Sequence, residues 1–477
     1  MNRIRQPHGA LAALATTTLL VAACGASGAP SASAPGSASE PAGSPAASTA
    51  GWSQDYAGTT LNMIGEATLN SQVLESLLPD FKEKTGIDVV IEQAPYDNLV
   101  QKVTLDSQTK QGGYDIVSLP YEFLGAFAEK QWIAPIDDRL SGTLAPAFDP
   151  KAIIPALWEA SSVWRDKTYG APSNSAVMMM FYRKDLFDNA DEKAAFKAKY
   201  GYDLVVPTTW QQYHDAAEFF TRKAGQTLAG QPLTADFAGV AMTGKRHVAT
   251  VLEWMNYGWT FGGGILDDNG QLVIDSQPSV SALDYMLGLR DYAQPGYTSA
   301  TWDETTATLQ QGNAALSITW GDTAGAMEAT DQSAVVGKMG YGDIPTLKDG
   351  DTPIAHLGSW TYVIPSDAKN PDAAWLFMQW ALSQPVQQKM AEGGGLPALS
   401  STFEDAELTA SLPYWPQELK SLSESKSRPR IPEWGSMSDI LQDSISNAIS
   451  GQATSKDALS QAATKLKSTL TLPVAYQ

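Results

Sequence analysis

An open α/β fold arranged in two lobes is the class this sequence predicts, and three observations predict it. Between residues 60 and 119 the chain alternates strand, helix, strand, helix, strand at the spacing of a parallel sheet with helical crossovers. Its 477 residues exceed what one ordinary core organises, so two lobes are expected. Residues 314–319 are a nearly unbroken apolar run, opened by Gly312-Asn313 and stopped by Gly321, as a short buried strand requires. Such a strand delivers Trp320 and Asp322 to its carboxyl end, where open α/β sheets leave a ligand crevice.

Taken in order, residues 60–64 are the first strand and Gly65-Glu66-Ala67-Thr68 the loop after it. Asn70 is placed to cap a helix over 71–84, whose one face carries Val73, Leu74, Leu77, Leu78 and Phe81. Thr85-Gly86 ends that helix and 87–91 form the second strand. A helix near 99–109 stops at Gly112-Gly113, and the third strand, 114–119, runs into Pro120-Tyr121-Glu122. Residues 167–172 suggest a strand into a bend, and 176–182 a strand buried on both faces. The run Met178-Met179-Met180 within it belongs to the core. Thr208 or Thr209 caps a helix over 210–222, and 371–382 reads as another amphipathic helix. Residues 254–264 read as a loop-rich section in which glycines and aromatics alternate. The last amphipathic stretch, 436–466, is broken at Gly451.

Composition narrows the function classes. A chain with 43% hydrophobic and 18% charged residues is globular, and its net charge of −20 disfavours nucleic acid or an anionic membrane as partner. His8, His214, His247 and His356 are scattered, and no His-x-x-x-His or Cys-x-x-Cys pair occurs, so no metal or cofactor is expected. Residues 1–23 read as an export signal: Arg3 and Arg5 precede a short small-and-apolar core, too short to span a bilayer. Cys24, the only cysteine, follows Val21-Ala22-Ala23 directly, which resembles a bacterial lipobox with Cys24 as the lipidated first residue. Residues 24–51, nearly all Ser, Ala, Pro, Gly and Thr, read as a disordered tether, and no further membrane span is expected.

Several candidate binding residues stand at predicted strand ends: Glu66, Tyr121, Glu122, Trp320 and Asp322. A Trp face stacks on sugar C–H groups while carboxylates accept hydroxyl protons, so the pair suits a polyhydroxy ligand. The competing reading is a core Trp beside a turn-forming Asp. Trp210, Trp375 and Trp380, at helical apolar spacings, read as core.

The order of short motifs is specific. Phe81-x-x-x-Thr85-Gly86-Ile87-x-Val89, Tyr114-Asp115-Ile116-Val117, Tyr169-Gly170-Ala171-Pro172, Tyr182-Arg183-Lys184-Asp185-Leu186-Phe187 and Pro207-Thr208-Thr209-Trp210 come first. Gln311-Gly312-Asn313-Ala314-Ala315-Leu316, Gly358-Ser359-Trp360, Asn370-Pro371-Asp372-Ala373-Ala374-Trp375 and Arg428-Pro429-Arg430-Ile431-Pro432 follow. In this order the chain resembles family 1 extracellular solute-binding proteins, the sugar-capturing subunits of ABC importers, which include maltose- and polyol-binding proteins. The resemblance implies a two-lobed, periplasmic-binding-protein-like (type II) fold with a hinged cleft. It places a first lobe at 52–172 and 306–350, a second at 173–305 and 351–477, and crossings near 171–175, 302–306 and 345–354.

It also implies a monomer on the outer membrane face that binds a sugar, oligosaccharide or polyol, delivers it to permease subunits and catalyses nothing. Asn174, Trp259, Trp360 and Trp434 join the candidate ligand residues on this basis, with His247 a further one. The alternatives are a secreted glycosidase using Glu66 and Glu122 as paired carboxylates, and a binder of a non-sugar solute. Acidic and aromatic candidates disfavour anions.

Overall fold

The apolar run through Met178-Met179-Met180 belongs to one long strand on which the rest is hung. In the computed structural model, which describes residues 51–141 and 148–474, the strands that build the sheet are β1 (Thr60–Glu66), β2 (Asp88–Ala94), β3 (Ile116–Pro120), β4 (Gly170–Arg183), β5 (Ala238–Ala241), β6 (Ala314–Trp320), β7 (Met339–Gly342), β8 (Ala355–Val363) and β9 (Ser425–Ser427). Its order is β2-β1-β3-β8-β4-β6-β5, with β7 also on β4 and β9 on β8. The export signal, Cys24 and the tether up to residue 50 lie outside the described residues.

The amino-terminal βαβαβ prediction holds. β1 runs parallel to both β2 and β3, and α1 (Leu69–Thr85) and α2 (Tyr96–Thr109) make the crossovers. One detail differs. Thr68, not Asn70, caps α1, because its hydroxyl accepts the Ser71 N–H. Asn70 sits inside the first turn and both gives and takes a hydrogen bond with the Leu396 backbone, at 2.9 and 3.0 Å. Gly86, at φ 72°, ends the helix as expected.

β4 has 14 residues and, at ~3.3 Å per residue, spans roughly 46 Å. Its first part pairs antiparallel with β8 up to Val177↔Leu357. From Met178↔Trp320 onward it pairs with β6, and β7 joins it at Met180. One strand therefore belongs to two lobes. The Val177 N–H at the changeover is taken by Glu418 Oε1 at 3.1 Å.

This pairing corrects the lobe assignment. β6 and β7 lie within 306–350, yet both pair with the far part of β4, and β6 also with β5. They belong to the second lobe. Conversely β8, within 351–477, lies between β3 and β4 in the first lobe. The expected crossing at 302–306 is instead the start of a helix, Trp302–Gln310. The remaining helices divide likewise. Pro371–Ala381 packs on α1, with Trp380 Nε1 donating to Asp80 at 2.8 Å and Phe377 edge-on to Phe81 at 5.3 Å. Trp434–Ile449 and Ser455–Thr469, separated at Gly451 as the sequence predicts, pack on the second lobe.

A second correction concerns 254–264. Residues Val248–Thr260 form a helix, buried along almost its whole length and capped by His247, whose Nδ1 accepts the Ala249 N–H at 3.0 Å. Glycine and aromatic content suggested loop, but burial on all sides overrides intrinsic propensity. Trp210, Trp375 and Trp380 are core, as predicted.

Close packing of helix on sheet leaves a specific liability in β5. A Cβ on Gly239 would stand 1.8 Å from the Ala217 carbonyl oxygen of the helix Trp210–Phe220. Backbone cannot yield as a side-chain tip does, so Gly239→Ala is expected to destabilise the protein by about 1–3 kcal/mol. Urea denaturation followed by far-UV circular dichroism measures this; an unchanged midpoint would refute the packing.

A candidate ligand-binding cleft

Three strands end on one side of the sheet changeover, and each passes directly into a polar turn. β1 ends in Glu66, β3 runs into the turn Tyr121–Phe123, and β6 runs into the turn Gly321–Thr323. Strand ends free their backbone and side chains for a crevice, and here a cavity of about 750 Å³ opens between the lobes. Glu66, Glu122, Trp320, Asp322 and Trp360 line it together. These are five of the residues singled out from sequence.

The apolar frame is aromatic. Trp320, 9% exposed, meets Trp302 at 6.5 Å and His356 at 5.5 Å. Tyr96 bridges Trp302 and Trp360, edge-on to both, at 5.7 and 5.9 Å. Gly358 makes this frame possible, since a Cβ there would fall 2.5 Å from the Trp320 ring. Gly321 does the same on the other side, lying against the Glu418 carboxyl.

The polar frame rests on a buried ion pair. Glu122, 1% exposed, accepts Arg428 Nη1 at 3.0 Å and the Tyr96 hydroxyl at 2.7 Å, both on Oε1. Its Oε2 has no partner among the described residues. Tyr121 stands behind the cavity. Its hydroxyl accepts from Arg428 N and Nε at 3.0 and 3.3 Å and donates to the Leu357 carbonyl at 3.0 Å. Trp434, fully buried, lies under the same guanidinium at 5.9 Å. Neither lines the cavity; both fix Arg428.

Asn174 is also a positioning residue. Its Oδ1 accepts the Trp360 N–H at 2.9 Å and its carbonyl accepts the Ser359 hydroxyl at 2.9 Å, where the β4–β8 register shifts. Trp259 is removed from the cavity altogether and packs on His356 at 5.0 Å. Burial holds the His356 imidazole neutral, well below its ordinary range. His247 caps its helix and reaches Asp97 of α2 at 3.3 Å, a contact between the lobes outside the cavity lining.

Two of the cleft carboxyls, Glu66 and Asp322, are hard to ionise. Burial, then the charges of Asp322, Asp303 and Glu122, hold Glu66 well above the usual carboxylate range. Burial pushes Asp322 up to about 6, although backbone N–H groups of its own turn oppose this. Glu418, fully buried behind the cavity, is raised by burial and by Asp322.

Sequence reasoning missed Tyr96, Trp302 and Arg428. Trp302 had a signal: Thr301-x-x-Glu304 is a capping box, and Glu304 does accept the Thr301 N–H at 2.7 Å, which marks Trp302 as a helix's first residue. Arg428 stood in a quoted motif without a role. Tyr96, after Pro95 at the start of α2, had none. The one group of three metal-type ligands found among the described residues, His214, Asp215 and Glu218, is already engaged: Lys199 and Tyr200 bind Glu218, and Tyr202 and Gln211 bind Asp215.

A two-lobed α/β body with a polar and aromatic cleft at its strand ends is the build of a solute-binding protein. Residues 66–388 match the bacterial extracellular solute-binding protein family, and the chain belongs to that family. A solute-binding protein of Agrobacterium radiobacter in complex with ribitol superposes with a TM-score of 0.77 at 27% identity, covering 87% of this chain and 99% of that one. The mannitol-binding protein of Pseudomonas aeruginosa is 26% identical over 82% of this chain and 87% of its own length. A probable amino-acid ABC transporter periplasmic-binding protein of Sinorhizobium fredii is 24% identical over 87% of this chain and 90% of its own. The maltose-bound structure from T. maritima, with a TM-score of 0.74 at 22% identity, shares the fold.

The raised pKa of Asp322 sets a pH dependence. Between its ordinary value of 3.8 and about 6 the folded protein holds a proton that the unfolded chain has released. Stability therefore falls as pH rises through that window. Asp322→Asn is expected to flatten the fall and to add roughly 1–3 kcal/mol to the ligand-free protein at neutral pH. Melting temperatures of both proteins between about pH 4 and pH 7 measure it, and parallel curves would refute it.

Proposed function

We propose that this chain is the lipid-anchored substrate-binding subunit of an ABC importer. It captures a sugar, short oligosaccharide or polyol between its lobes and delivers it to the membrane permease. The observation that carries this is the pairing, in one cavity, of an aromatic frame (Trp320, Trp302, Trp360 and Tyr96) with carboxyl oxygens that lack protein donors, Glu122 Oε2 above all. Rings stack on C–H faces and carboxyl oxygens take hydroxyl protons. The ribitol-bound and mannitol-binding relatives support the same ligand class.

Closure follows from where these groups stand. Glu66 and Glu122 belong to the first lobe and Trp320 and Asp322 to the second, so a ligand touching both favours the closed form. Moving the population from mostly open to mostly closed takes roughly 5.5 kcal/mol of differential affinity. Cys24 would hold the folded body at the outer membrane face through the tether of residues 24–51.

The glycosidase alternative is weaker on the same geometry. Glu122 is engaged by Arg428 and Tyr96, whereas a general acid or base needs a carboxyl free to exchange protons with substrate. An amino acid ligand fits less well too, because its carboxylate would need a cation and Arg428 is already paired.

A thermal-shift panel of ribitol, mannitol, other polyols, neutral sugars, oligosaccharides and amino acids on the full-length protein tests the reading. A ligand at a hundred times its Kd adds about 2.7 kcal/mol of apparent stability. Trp320→Ala is expected to weaken binding about ten- to a hundred-fold while the variant still folds. Stabilisation by amino acids alone would refute the sugar and polyol assignment. For the anchor, Cys24→Ser is expected to move the protein from the membrane fraction to the medium; an unchanged distribution would refute lipidation at Cys24.

A further inference from the structure

The cleft carries a charge surplus that no protein cation answers. Glu66, Glu122, Asp303, Asp322, Glu328 and Glu392 all line it, and Arg428 is the only cationic side chain among the lining residues. Arg428 is committed to Glu122 and Tyr121 and is 5% exposed on its side chain, so its charge is answered within the protein. That pairing still leaves Glu122 Oε2 without a partner. Glu328 is satisfied by the Gly337 N–H at 2.9 Å and the Tyr341 hydroxyl at 3.3 Å. Glu66 and Asp322 receive no side-chain donor among the described residues, and the charge of Asp322 opposes ionisation of Glu66. The rings of Trp320 and Trp302 line the same cavity.

A neutral polyol offers hydroxyl protons to these carboxyls but leaves their mutual repulsion in place. A carboxylate ligand adds to it. A protonated amine supplies three N–H donors and a positive charge at once, and indole faces attract cations further. Resting on the polyhydroxy-ligand reading above, we infer that the ligand is an amino sugar or amino polyol. Its ammonium group lies among Glu66, Asp303 and Asp322, with its hydroxyl-bearing carbon face on Trp320 and Trp302.

Proton balance gives a signature. Below about pH 6 the free cleft retains protons on both Glu66 and Asp322. The charges of Asp322, Asp303 and Glu122 bear on Glu66, Glu418 lies near Asp322, Glu122 holds the Arg428 charge, and His247 lies near Asp303. An arriving ammonium stabilises the ionised carboxyls, and the protons leave to solvent. Affinity for the amine therefore rises with pH through about 6, where Asp322 ionises.

Matched pairs test this on the full-length protein by isothermal titration calorimetry: D-glucitol against 1-amino-1-deoxy-D-glucitol, and D-glucose against D-glucosamine, with N-acetyl-D-glucosamine as the uncharged control. At about pH 7.5 each amine is expected to bind at least about ten-fold more tightly than its hydroxyl partner. The gap is expected to shrink near pH 5, and in Glu66→Gln and Asp322→Asn at either pH. A neutral member that binds as tightly as its amine overturns the inference while leaving the polyol reading standing. A ten-fold preference that survives both substitutions overturns the placement of the ammonium. Failure of every member of both pairs, alongside a panel in which no polyhydroxy compound binds, overturns both readings.

Discussion

The constraint on which the structure depends is that a single strand serves two lobes. β4 is hydrogen-bonded to β8 over its first part and to β6 over its second, so no loop separates the lobes at this point. Relative movement of the lobes must be absorbed by twist within the strand and by the connections beside it. Glu418 holds the N–H of Val177, the last β4 residue opposite β8, while its other oxygen lies against Gly321, next to Asp322. A buried carboxyl thus links the strand changeover to the turn that carries a cleft acid. The link joins the turn that carries Asp322 to the strand shared by both lobes.

The ion pair of Arg428 with Glu122 plays the corresponding part for the cleft's chemistry. Burying two charges costs several kcal/mol each, and their attraction offsets this only where further hydrogen bonds complete the geometry. Tyr121, Tyr96 and the rings of Trp434 and Trp320 supply that completion. The result is a rigid polar floor whose charge is largely settled within the protein. Glu66 and Asp322, by contrast, have no side-chain donor among the described residues, and burial holds both carboxyls above the usual carboxylate range. On the proposed reading, specificity resides in the Glu66 and Asp322 carboxyls, and preorganisation in the ion pair.

Sequence alone determined the local parts of this protein. The βαβαβ unit was legible because residues 60–119 repeat a pattern whose period, caps and glycine stops are all local signals. Glu66, Glu122, Trp320 and Asp322 could be placed in the cleft because a strand's carboxyl end is where ligands gather, and that end is visible in one dimension. The tertiary structure decided everything that depends on partners distant in sequence. β6 looked like a first-lobe strand, and only its pairing with β4 and β5 put it in the second. Trp259 and Trp434 looked like cleft aromatics, yet burial against His356 and under Arg428 made them core and support. Arg428 and Tyr96, 332 residues apart by their numbers, entered the site together through Glu122. Periodicity reveals which face of an element is apolar, but not which element will cover it, because that choice is made by contacts between segments far apart along the chain.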